Sequence, residues 1–114
     1  MKVIEVDERI AFLGPLVGAT VSYFRLRKPP IVRLESARTA RRRGEMGHCD
    51  VDGEIVLEGP PSNHLPLWVL AHELAHLRVW NHGPRHREMA ARILEWWSRS
   101  GQRRLFRAIP TAWR

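Results

Sequence analysis

The 114-residue chain is 44% apolar and carries a formal charge of +7. It is long enough for one modest hydrophobic core and too short for two. A single cysteine, Cys49, excludes an internal disulfide framework and a four-cysteine zinc ribbon.

The apolar stretch between Arg9 and Arg25 is broken at Gly14-Pro15 and falls short of the ~18 residues a membrane span needs. Glu5, Asp7 and Glu8 ahead of it do not suit a secretory leader. The expectation is a cytoplasmic protein with no membrane partner. Charge comes in blocks. Residues 24–43 hold eight cations against Glu35, residues 44–84 hold six carboxylates against Arg78, and residues 85–114 hold eight arginines against Glu88 and Glu95. An acidic centre suits a cation site. Arginine-rich flanks are compatible with a nucleic-acid partner, and equally with a solvated surface.

Asp7 is placed to cap a helix running to about Phe24, bent at Gly14-Pro15, with Ile10, Phe12, Leu13, Leu16, Val17, Val21 and Phe24 facing the core. Pro29-Pro30 punctuates the chain. Ile31 to Glu35 alternates as a strand does, a second strand is expected near residues 42–46, and Asp52-Gly53 is a hairpin signal leading into a third strand, Glu54 to Glu58. From about Leu65 the period becomes helical, with Leu67, Leu70, Leu74 and Leu77 on one side. That helix is expected to end near Asn81-His82-Gly83-Pro84. A last helix follows from Arg85 to about Arg99, with Met89, Ile93, Trp96 and Trp97 buried. Trp68 and Trp80 are also read as core. Residues 1–101 are read as one domain and residues 102–114 as a basic C-terminal tail.

His72-Glu73-Leu74-Ala75-His76 is a His-Glu-x-x-His pattern inside the amphipathic segment. Residues four apart on an α-helix lie ~40° apart around the axis, so His72 and His76 can reach one ion. Glu73, beside the first ligand, is placed to act as general base on a water activated by the metal. Catalytic zinc takes three protein ligands and keeps a fourth position open. His82, just past the expected helix end, is the candidate third ligand, and Glu88 on the next helix is its rival. His86 and His64 are read as exposed residues or substrate contacts. Cys49 is read as a small packed residue. Tyr23, His48, His64, His86 and Arg85 are the candidates for stabilising an oxyanion.

Val69 to Leu77, followed by Asn81-His82, resembles the metal-binding core of the SprT-like and YgjP-like zinc metallopeptidases. His82-Gly83-Pro84 is similar to the third-ligand segment of the SprT-like proteins, and the His76 to His82 spacing matches the YgjP-like pattern. Upstream, Arg43-Gly44, Gly47-His48-Cys49 and Gly53 to Leu57 resemble the segments that precede the motif helix. The likeness covers residues 42–97. It implies a small α+β, minigluzincin-like fold: an N-terminal helix, a small antiparallel sheet of about three strands, the motif helix and a following C-terminal helix. It also implies Zn2+ held by His72, His76 and His82, Glu73 as general base, a protein or peptide substrate, and proteolysis at nucleic acid. An extended substrate would pair near Ile55. The chain departs from the family at His86, where an aromatic residue is usual. Metzincins share the histidine spacing but carry glycine where this chain has Val79. Glu88-Met89-Ala90-Ala91 faintly resembles the ImmA/IrrE-like regulatory proteases, which take a glutamate ligand from the following helix. The competing reading is a non-catalytic, metal-stabilised module that binds nucleic acid or protein.

Overall fold

The computed structural model describes residues 4–35, 47–50, 52–58, 66–99 and 103–114. The chain enters through a two-residue strand, β1 (Glu5–Val6), and Asp7 then starts a 3-10 segment, Glu8–Leu13. The Asp7 carboxylate accepts from the Arg9 backbone N–H at 3.0 Å and from its guanidinium at 2.7 Å. It also accepts from Leu34 N–H at 3.3 Å. Hydrogen bonds from Arg9 hold this carboxyl well below the usual carboxylate range.

Helix α1 spans Gly14–Phe24, with Pro15 in its first turn. The expected single bent helix is therefore a 3-10 segment followed by an α-helix. A proline lacks the N–H that a helix's first turn leaves unbonded anyway, so it begins a helix more readily than it bends one. Arg25 closes α1 in the left-handed region, at φ 53° and ψ 47°.

Strands β2 (Ile31–Glu35), β3 (Gly47–Cys49) and β4 (Ile55–Glu58) complete a four-stranded sheet in the order β1-β2-β4-β3. β1, β2 and β4 are parallel, and only β3 runs antiparallel to its neighbour β4. This corrects the expected antiparallel sheet. Alternation marks a strand but carries no information about its neighbour's direction. The chain returns from β1 to β2 through α1, a crossover that makes the pair parallel, and the β3–β4 hairpin slots β4 beside β2. The strand expected at residues 42–46 lies outside the described residues.

The hairpin turn is the one the sequence signalled. Gly53 sits at φ 86°, its N–H donates to the Asp50 carbonyl at 2.9 Å, and Asp50 Oδ1 accepts from Asp52 and Glu54 N–H. β4 is bonded on both edges, to β2 and to β3, so the expected pairing of a substrate along Ile55 is closed. Ile55, Val56 and Leu57 are all buried, so both faces of this strand are covered.

Helix α2 (Pro66–Ala75) lies across β3 and β4 and packs against α3 (Pro84–Ser98). It ends sooner than its leucine periodicity suggested. His76, Leu77 and Arg78 N–H bond to carbonyls three residues back, a 3-10 tightening common at helix ends. Its inward face is Leu67, Leu70, Ala71 and Leu74. Trp68 falls outside that face and is 45% exposed, and Trp80, beyond the helix, is 49% exposed; both were expected in the core.

On α3 the buried stripe is His86, Met89, Ile93 and Trp97, while Trp96 is half-buried and stacks on Tyr23 at 4.4 Å. After a short helix α4 (Arg103–Phe106), Ile109 and Trp113 of the basic C-terminal segment enter the core, with Phe12 edge-on to Trp113 at 5.5 Å.

One buried polar link joins α1 to α3. Trp97 Nε1–H donates to Thr20 Oγ1 at 2.8 Å, and the hydroxyl donates onward to the Leu16 carbonyl at 2.6 Å. Thr20→Val keeps the volume but orphans the indole N–H, and a loss of about 1–3 kcal/mol is expected in urea unfolding. An unchanged midpoint would show that the link carries no stability.

Candidate metal centre

Helix α2 delivers His72 and Glu73 one residue apart, so they diverge by ~100° around the axis. Glu73 points into the protein and is only 5% exposed; His72 is half-buried. His76 follows in the tightened turn, where its Nδ1 lies 3.2 Å from the Val79 carbonyl. A carbonyl only accepts, so the proton sits on Nδ1 and leaves the Nε2 lone pair free. The chain then reverses through Asn81 to Gly83, where Gly83 at φ 155° takes a conformation side chains disfavour. The reversal brings exposed His82 back over the helix. His82 Nε2 lies 3.2 Å from His72 Nε2 and 3.1 Å from His76 Nε2. Ligands at 2.0–2.1 Å from a tetrahedral ion are separated by about 3.3–3.4 Å. Each of these two separations is close to the spacing such an ion imposes.

A fourth ring completes the cluster. His86, in the first turn of α3, is 2% exposed. It stacks on His76 at 4.1 Å and meets His72 edge-on at 4.4 Å. Ligand atoms of His72, His76 and His86 lie within 4.8 Å of one another, so this triplet also could hold an ion. The His86 Nε2–H donates to the His72 carbonyl at 2.9 Å, leaving only Nδ1 to offer. Exposed His82 has Nε2 turned toward both partners and buried His86 stands behind it, so each is a candidate third ligand. The sequence reading of His86 as an exposed residue is thus wrong. The signal was its place beside Met89 and Ile93 in the α3 stripe, together with its position where an aromatic residue was expected.

The other candidates separate cleanly. Glu88 is exposed, two residues and ~200° around α3 from buried His86, and takes no part in the cluster. Tyr23 packs on Phe24 and Trp96. The His48 side chain and all of His64 lie outside the described parts. Arg85 is exposed at the rim of an open depression of ≈ 350 Å³ formed by residues 78–86, into which His82 also faces. Cys49 on β3 is half-buried. Burial, then the charges of Glu73 and Asp50, push its thiol up to about 12, so it stays protonated and is a poor ligand or nucleophile.

Burial, with His86, His76 and His82 close by, drives His72 down to about 4, and burial with His86 lowers His76. Both are neutral at physiological pH, the form that binds metal. For the metal-free chain the sign follows. Between about pH 6.5 and 4 the unfolded state binds protons that the folded state refuses, so stability is fully present above 6.5 and lost as pH falls through 4. Thermal unfolding of the stripped protein across that range is expected to show a falling Tm that His72→Gln flattens; a flat wild-type profile contradicts the assignment.

The chain matches no family model, no curated protein and no solved structure with which it was compared.

Proposed function

We propose that the chain is a zinc-dependent metallopeptidase that hydrolyses peptide bonds. The observation that carries this reading is the convergence of His72, His76 and His82 nitrogens at 3.1–3.2 Å, beside a helix that also supplies Glu73. Zinc in such a site supplies Lewis acidity and lowers the pKa of water toward neutrality. His72, His76 and His82 would hold the ion. Glu73 takes the proton from the attacking water and returns it to the leaving amine nitrogen. An extended substrate pairs with β3, whose outer edge has no partner strand among the described residues. The same residues carry the resemblance to the SprT-like and YgjP-like enzymes.

A second reading has one observation in its favour. His86 also lies within ligand distance, and four histidines around one ion would make a closed, structural site. That chain would be a metal-stabilised binding module and would cut nothing.

Two variants separate the readings. Glu73→Gln is expected to keep one zinc per chain by elemental analysis and to lose roughly 10²–10⁴ in cleavage of a denatured protein substrate. His82→Ala is expected to lose the zinc. Full cleavage by Glu73→Gln, or zinc retained without His82, contradicts the enzyme reading.

A further inference from the structure

Among the described residues, two of the three large hydrophobic side chains that stand exposed, Trp68 and Trp80, border the histidine cluster. Trp68 lies one helical turn before His72, with ring centroids 5.9 Å apart, and Trp80 lies 5.9 Å from the His76 ring. Indoles this open to water lose nothing by being covered, and a bound chain would cover them. On the Trp80 side the surface is concave. The depression of ≈ 350 Å³ beside His82 is lined by Arg78, Trp80 and Arg85 and, among the described residues, by no carboxylate. Both arginines are exposed, and neither guanidinium is paired with an acidic group among the described residues. Arg78 is the one cation between residues 44 and 84, so its charge stands alone in an acidic stretch, directly beside the candidate centre.

We infer that Arg78, Trp80 and Arg85 form a substrate subsite that takes a glutamate or aspartate side chain of the bound peptide, adjacent to the bond at the histidine cluster. The carboxylate is held by charge-assisted hydrogen bonds from the two guanidiniums, and the stem of the side chain lies against the Trp80 face. Size and charge favour a peptide over a polyanion. The depression accommodates one or two side chains, and the β3–β4 hairpin, whose Gly53 faces the Leu77 side chain next to Arg78, carries Asp50 and Asp52, which disfavour a long phosphate backbone more than a short acidic side chain. The inference rests on the metallopeptidase reading for the position of the bond.

The test separates the two claims by measuring binding apart from cleavage. Full-length, zinc-loaded Glu73→Gln protein is titrated with end-capped peptides of one sequence that carry Glu, Gln or Lys at each position in turn, read by fluorescence anisotropy at low salt. The expected result is one position at which Glu binds about tenfold more tightly than Gln. Adding Arg78→Ala with Arg85→Ala is expected to bring the two within about twofold, with zinc content and circular dichroism unchanged. Equal binding of Glu and Gln peptides, or a preference that survives loss of both arginines, overturns the subsite. So does a single-stranded oligonucleotide that binds more tightly than any peptide and is released by the same pair of substitutions, which would assign the patch to nucleic acid. Wild-type cleavage of the same peptides tells the claims apart. An acidic preference in binding without any cleavage upholds the subsite and removes the hydrolase reading, whereas cleavage indifferent to charge does the reverse.

Discussion

The hydrogen bond from His86 Nε2 to the His72 carbonyl ties the first turn of α3 to the last turn of α2. Carbonyls at a helix's end run short of helical donors, and here a side chain from the next helix supplies one. That bond fixes where α3 begins, and with it the reversal through residues 79–83 that returns His82 to the helix. It also fixes the His86 tautomer and presses its ring against His76. The crowding has an electrostatic consequence: burial and the neighbouring imidazoles hold His72 and His76 in the neutral form, as nitrogen donors. The second anchor, His76 Nδ1 on the Val79 carbonyl, aims Nε2 at the shared point. The site is thus assembled by backbone carbonyls that orient imidazoles.

The scaffold behind it is economical. α2 rests on β3 and β4 through its leucines and alanines, and α3 is held to α1 by the Trp97–Thr20 link, with Ile109 and Trp113 closing the same core. Position of the histidines therefore depends on contacts from nearly the whole chain, which explains how so short a protein can present a defined cluster.

Much of this was legible in the residues themselves. The Asp7 cap, the Asp52-Gly53 turn, the strand at Ile31, the motif helix and the last helix all follow from local rules, each set by a few adjacent side chains. The histidines of the motif and His82 follow from helical spacing and from a turn whose glycine and proline announce it. What local rules do not contain is which strands become neighbours, so the parallel β2–β4 pairing was missed, and with it the closing of both edges of β4. Nor do they say which face of a helix meets the protein: Trp68 and Trp80 were read as core from their helical spacing, yet α2 fills its inner face with smaller side chains. His86 was hidden for the opposite reason, as a polar type on an apolar stripe, buried because its one N–H has a fixed partner.

The central claim is that the histidines form an open three-ligand centre. Zinc K-edge X-ray absorption on the zinc-loaded wild-type protein tests it most directly. The account predicts three imidazole nitrogens near 2.0–2.1 Å with one further light-atom neighbour from solvent, and loss of one imidazole in His82→Ala but none in His86→Phe. Four imidazoles with no solvent neighbour, reduced to three by His86→Phe, would contradict it and describe a closed structural site.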